Sequence, residues 1–233
     1  MHKILSFILF ISSCQINNDL LYYDNNLISV NIESDKEIEK IIMPYKKGID
    51  SIMDKIICTS QIEMRKDKPE GVLGNFVTDL CLEKFSESAD ICILNNGGFR
   101  SSLPKGDISL GMIYTLMPFE NELVILHLTK SDTEDLVNYM FNRGGEPCSG
   151  IKVYNIDTNV FYSLNNKINF DNDEKIRVLT SDYLAKGGDK MYFFQNKEIV
   201  RLNVKLRDII IEYCKENKVI SSNKDNRFII NND

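Results

Sequence analysis

The sequence predicts an α+β domain with a mixed sheet and packed helices, and three observations carry that expectation. Stretches with apolar residues at steps of three and four mix with short apolar runs of strand length, without the strict strand–helix–strand period of a doubly wound parallel sheet. The chain has 233 residues, 43% of them hydrophobic, enough to bury a core without disulfide or metal staples. No internal repeat or long linker interrupts it, so one domain is expected over residues 30–233, after a leader at 1–13 and a polar tether at 14–29.

Met1, His2 and Lys3 supply a short positive end, residues 4–11 an apolar run, and Ser12 and Ser13 small residues just before Cys14. This reads as a signal peptide, since the run is too short to span a bilayer. Ile11-Ser12-Ser13-Cys14 resembles the lipobox of bacterial lipoproteins, which would make Cys14 the lipidated residue and the protein an exported, membrane-anchored lipoprotein. An ordinary secretory signal with Cys14 incidental is the alternative, and either reading exports the chain.

Residues 27–32 suit a short strand. Ser34 with Glu37 forms an expected capping box, followed by Ile38, Ile41, Ile42, Tyr45, Ile49, Ile52, Met53 and Ile56 at helical spacing, with Pro44 expected to kink the helix. Leu73, Phe76, Val77, Leu80, Cys81 and Phe85 predict a second helix, and residues 90–94 a buried strand ending at Asn95-Asn96-Gly97-Gly98-Phe99-Arg100. A short helix over 110–116 ends at Met117-Pro118-Phe119, and residues 122–128 read as a strand. Ser131 with Glu134 forms a second expected capping box, opening a helix to about Phe141. Strands follow near 151–157, 159–163 and 175–180, then a second glycine-pair turn at Gly187-Gly188-Asp189. A helix over 204–215 and a small apolar segment, 228–230, close the chain.

Composition excludes some functions. With 28 Lys and Arg against 34 Asp and Glu, the net charge is -6 and no basic tail or stripe appears, which argues against nucleic acid as a partner. The two histidines, His2 and His127, are too few for a histidine-rich zinc or two-metal hydrolytic centre, and His127 sits between Leu126 and Leu128 on an expected strand, where a structural role fits better. Cys58, Cys81, Cys92, Cys148 and Cys214 show no CxxC spacing and are odd in number, so neither a metal cluster nor a disulfide is assigned. Acidic pairs such as Asp132 with Glu134 or Asp171 with Asp173 look like cap and turn chemistry.

Two glycine-pair loops carry charged residues, Arg100 and Asp189, and aromatic residues, Phe119 and Tyr183, lie in or after them. Aromatic faces stack a base, a carboxylate accepts from ribose hydroxyls, and a guanidinium holds phosphate oxygens. Spacing alone also suits core or turn residues.

The order of five motifs adds to this: Glu70-Gly71-Val72-Leu73-Gly74-Asn75, Asn95-Asn96-Gly97-Gly98-Phe99-Arg100, Met117-Pro118-Phe119-Glu120-Asn121, Ser149-Gly150-Ile151-Lys152 and Tyr183-Leu184-Ala185-Lys186-Gly187-Gly188-Asp189. Together they resemble the C-terminal, nucleoside-binding domain of the 5'-nucleotidase family, over roughly residue 30 to the end. The resemblance implies an α+β fold, with Phe119 and Tyr183 sandwiching the base, Tyr183 standing where the family usually has Phe. It implies polar contacts from Asn95 and Asn121, a phosphate- or ribose-side role for Arg100 and ribose contacts from Asp189. Many members carry an arginine just before the Glu matching Glu70, where this sequence has Pro69, with Lys66 and Lys68 nearby.

The family's catalytic half, a metallophosphoesterase with an Asp-x-His start and an Asn-His-Asp/Glu element, has no counterpart here. The expected function is therefore recognition of a nucleoside or nucleoside monophosphate for a hydrolase, with no catalytic residue, metal ligand or cofactor in this chain. A separate metallophosphoesterase chain would carry the divalent metals. The alternative is a non-enzymatic surface module that binds nucleotides or has become a structural lipoprotein.

Overall fold

The computed structural model describes residues 34–165, 168, 170 and 174–231, so the leader, Cys14, the tether, the strand expected at 27–32 and the Asp171–Asp173 pair lie outside the described residues. In chain order the elements are α1 (Lys36–Met53), β1 (Ile56–Ser60), α2 (Val72–Lys84), β2 (Ile91–Ile93), β3 (Gly106–Ser109), α3 (Leu110–Leu116), β4 (Glu122–Leu128), α4 (Lys130–Asn142) and β5 (Cys148–Ser149). They continue with β6 (Ile151–Ile156), β7 (Asn159–Leu164), β8 (Ile176–Ser181), α5 (Asp182–Ala185), β9 (Ile199–Lys205), α6 (Leu206–Asn217), β10 (Val219–Ile220) and β11 (Phe228–Ile229). The fold is α+β, as expected.

Two compact units divide at Ile42/Met43. The described part of the first is the start of α1. In the second, the central sheet has the order β5-β2-β8-β4-β9, flanked by two smaller sheets, β10-β1-β3 and β11-β6-β7. Strands β2 and β8 run parallel, whereas β4 is antiparallel to both β8 and β9. A core lies on each face of the central sheet, and β4 shows why its sequence is almost continuously apolar. Leu123 and Ile125 pack with α2, α6 and β1, while Val124, Leu126 and Leu128 pack with α4 and β6.

The strand directions position the loops. Because β2 and β8 are parallel, their C-terminal ends lie on one edge of the sheet. The antiparallel pairing of Leu123 with Ser181 brings the N-terminal end of β4 to that same edge. The loops after β2, before β4 and after β8 therefore converge there.

Some local expectations are corrected. The cap of α1 comes from Asp35, whose carboxylate accepts from the amides of Glu37 at 2.9 Å and Ile38 at 3.4 Å, while Ser34 turns its hydroxyl to Glu39. That helix runs on through Pro44, with its apolar stripe exposed, and Ile56 leaves it for β1, where it pairs with Ser109. Helix α4 starts earlier than Ser131. The Thr129 hydroxyl accepts from the Asp132 amide at 3.3 Å and the Asp132 carboxylate accepts from the Thr129 amide at 3.1 Å, so this pair forms the capping box in place of Ser131 and Glu134. The last helix begins at Leu206, because Val204 and Lys205 belong to β9, where Lys205 pairs with Glu122.

Candidate functional site

Three loops at the sheet edge enclose a cavity of about 320 Å³, within the range of small-molecule sites. Asn95, Arg100, Phe119, Asn121, Tyr183 and Asp189 all line it. The structure thus brings together every residue that the sequence nominated for a ligand. Phe119 and Tyr183 are 42% and 43% exposed, so neither is a core residue.

Each wall has a local cause. After β2 the chain makes a single 3₁₀ turn over Asn96–Gly98, closed by the Gly98 amide on the Asn95 carbonyl at 3.1 Å. The buried carboxylate of Glu146 accepts from the Asn96 amide at 2.8 Å and fixes that turn from below. Arg100 stays exposed, with its backbone amide on the Leu116 carbonyl at 2.8 Å and its guanidinium carbon 6.0 Å from the centre of the Phe119 ring. After β8, Ser181 caps the short helix that bears Tyr183, accepting from the Leu184 amide at 3.2 Å. The chain then turns through Gly187 at φ 90° and Asp189 at φ 52°; left-handed geometry suits glycine and is tolerated by Asp.

Asp189 is the polar centre of the site. Its Oδ2 accepts from Asn95 Nδ2 at 2.6 Å, and its Oδ1 from the Tyr183 hydroxyl at 2.9 Å. Its backbone carbonyl accepts from the Tyr139 hydroxyl at 2.7 Å, a contact that sequence reasoning missed because Tyr139 reads only as an α4 face residue. A carboxylate has about four acceptor positions, so Asp189 retains capacity for hydroxyl donors of a ligand. Two aromatic faces, a fixed carboxylate, two amides and an exposed guanidinium together suit a molecule with a flat ring, vicinal hydroxyls and an anionic group.

Beside Gly97 a second cavity of about 430 Å³ is lined by Lys66, Lys68, Asn96 and Arg143. Lys66 donates to the Phe99 carbonyl at 3.0 Å and Lys68 to the Arg143 carbonyl, so both lysines near Pro69 are already engaged with backbone. Glu70 is buried and accepts from Asn75 Nδ2 at 2.6 Å and from the Asp225 amide at 2.8 Å, which ties the start of α2 to the C-terminal segment. His127 lies on β4 opposite Arg177, and its buried Nδ1 has no partner among the described residues. Among the described residues, no group of three or more His, Cys, Asp or Glu is arranged to hold a metal ion.

Comparison with known proteins gives this edge of the sheet a context. The model of the 5'-nucleotidase C-terminal domain matches residues 52–196, a span that includes all six cavity residues named above. The chain is 24% identical over 189 residues to the trifunctional nucleotide phosphoesterase protein YfkN of Bacillus subtilis, covering 70% of this chain and 13% of that protein. It is 25% identical over 260 residues to an apyrase of Tabanus yao, covering 92% of this chain and 47% of the apyrase. Among solved structures, the 5'-nucleotidase precursor of Thermus thermophilus superposes with a TM-score of 0.72 at 22% identity, over 84% of this chain and 43% of that one, which shows a shared fold. The chain spans less than half the length of each of these relatives. With a family model matching well over half of its residues, the chain belongs to the 5'-nucleotidase C-terminal domain family.

Proposed function

We propose that this domain recognises a nucleoside or nucleoside monophosphate and presents it to a metallophosphoesterase on a separate chain, supporting nucleotide dephosphorylation. The observation that carries the reading is the convergence of Phe119, Tyr183, Asn95, Asn121, Arg100 and Asp189 on one cavity of nucleoside size. In it the base stacks against Phe119 and Tyr183 and bonds Asn95 and Asn121, Asp189 accepts from the ribose hydroxyls, and Arg100, at the exposed rim, faces the phosphate. Divalent metals on the partner supply the activated water and charge stabilisation for hydrolysis. This chain's residues bind and orient.

The test is calorimetric titration of the full chain with adenosine and AMP. Saturable binding that Phe119→Ala and Asp189→Ala abolish is expected, and no heat from a folded chain with either ligand would overturn recognition in isolation. Added to a metallophosphoesterase, the chain should raise AMP hydrolysis in a manner lost with Asp189→Ala. A complex indifferent to that change would favour the scaffold role. The same reading has the chain exported and held at a membrane by a lipid on Cys14, so that Cys14→Ala releases it to the soluble fraction.

A further inference from the structure

The stretch 117–121 carries two of the cavity residues, Phe119 and Asn121, yet it has no regular structure between α3 and β4. Met117 is buried, but Pro118, Phe119 and Glu120 are all exposed, so packing does little to fix their path. Four polar groups of the stretch are instead tied to the start of α6. Arg207, only 5% exposed, donates from Nη1 to the Met117 carbonyl at 3.2 Å and to the Phe119 carbonyl at 3.5 Å, and from Nη2 to the Glu120 carboxylate. The amide of Leu206 donates to the Asn121 carbonyl at 3.0 Å.

Two further contacts stiffen this brace. Lys205 Nζ lies 2.5 Å from the second Glu120 oxygen, and the Arg207 guanidinium carbon sits 4.3 Å from the centre of the Tyr114 ring. The Lys205 ammonium, and next to it the Arg207 guanidinium, hold the Glu120 carboxyl down to about 2, so the brace stays ionised near neutrality. A planar cation with five donors reaches two carbonyls and a carboxylate at once; an ammonium, with three donors on a flexible stem, does not reproduce that fork.

We propose that Arg207 is a positioning residue: it sets the path of residues 117–121 and thereby holds the Phe119 ring and the Asn121 amide at the cavity, a role that for ligand affinity rests on the nucleoside recognition proposed above. Without the brace, the stretch must be ordered when ligand binds, and that ordering is subtracted from affinity.

The chain has no Trp, so Phe119→Trp places a single indole at the position in question. Its time-resolved anisotropy is measured in the ligand-free full chain, alone and combined with Arg207→Met, which keeps the stem, or Arg207→Lys. A restricted indole that loosens with Arg207→Met and partly recovers with Arg207→Lys is the expected result. With Phe119 native, Arg207→Met should weaken adenosine binding roughly threefold to tenfold, Arg207→Lys less. Unchanged indole motion in a folded Arg207→Met chain overturns the proposal, and so does weaker binding without loosening. If Arg207→Met does not fold, Arg207→Lys and Glu120→Gln decide, and a stretch equally rigid in both overturns it. If the unaltered chain binds no adenosine, the recognition reading falls while the indole measurement still decides the positioning role.

Discussion

The Tyr183 hydroxyl donates to Asp189 Oδ1 at 2.9 Å and accepts the Asp189 backbone amide at 3.2 Å, so the ring and the carboxylate that line the cavity form one hydrogen-bonded unit. A phenylalanine at this position keeps the aromatic face and loses the unit. Tyr183→Phe should therefore leave the Asp189 carboxylate held by Asn95 alone, with Tyr139 still on the backbone carbonyl, and cost about 1 kcal/mol, since the two bonds lost are exposed and each is worth the low end of the usual range. Adenosine affinity should fall several-fold, with a melting shift of roughly 2–4 °C for a chain of this size. Tighter binding by the variant, read by calorimetry, would mean instead that the Tyr183 hydroxyl competes with the ligand for Asp189.

Gly188 lies under the Tyr183 ring: a Cβ added there would stand 2.5 Å from the ring's Cε1 and Cζ. Gly188→Ala must push the ring aside, at a cost of about 1–3 kcal/mol for overpacking, and should abolish nucleoside binding while the far-ultraviolet circular dichroism stays native. Gly106 is the control. Its φ is +103° with nothing within 4 Å of an added Cβ, so Gly106→Ala should strain the backbone by about 1–3 kcal/mol and leave affinity unchanged. Equal binding by the two variants would show that the ring's position does not govern the site.

The residues that now frame these tests were legible in the sequence to different degrees. Strands such as Glu122–Leu128 and helices such as Leu110–Leu116 stand where their patterns put them, because long apolar runs and clear caps leave few alternatives. Strand β9 did not read as a strand: Ile199, Val200, Leu202 and Val204 alternate only loosely with Arg201, Asn203 and Lys205, none of the seven is buried, and the pairing to β4 that makes it a strand is a tertiary event. Ser131 puts the expected start of α4 two residues late because Thr129 with Asp132 supplies an Asp at the third helical position, where the usual capping box has Glu or Gln. Arg207 was invisible for a plainer reason. Nothing local distinguishes it from a helix surface arginine, and only the fold brings it against Met117 and Phe119.

The thiols offer a test of core integrity. Cys58, Cys81, Cys92, Cys148 and Cys214 are all buried and free, and burial pushes the Cys148 thiol up to about 12. Because the thiolate is the nucleophile, a thiol held this far up is unreactive near neutrality even where reagent reaches it. Iodoacetamide should leave all five unmodified in the native chain and modify all five in denaturant, as read by peptide mass spectrometry. Rapid native labelling of Cys92 or Cys148 would show that the sheet between β5 and β8 opens readily.

Arg227 provides the last test, and pH gives it a sign. Its guanidinium donates to Asp79 at 2.6 and 2.9 Å, to Asp225 at 2.8 and 2.9 Å, and to the Cys148 carbonyl at 3.0 Å, so one side chain ties the C-terminal segment to α2 and β5. The arginine is 10% exposed but its carboxylate partners are 44% and 45% exposed, and water can take up either carboxylate when the cation is removed. Arg227→Met should thus cost about 2 kcal/mol, less than the 3–5 of a fully buried pair. Arg227 holds the Asp225 carboxyl below its ordinary value. A folded-state value below the unfolded one gives stability that is complete above the unfolded value, near about 3.9, and is lost as pH falls through the folded one. The melting difference between the unaltered chain and Arg227→Met should accordingly be full from neutrality to about pH 5 and shrink below about pH 4. A difference of constant size across that range would assign the effect to packing of the arginine stem, because a methionine stem answers to no proton.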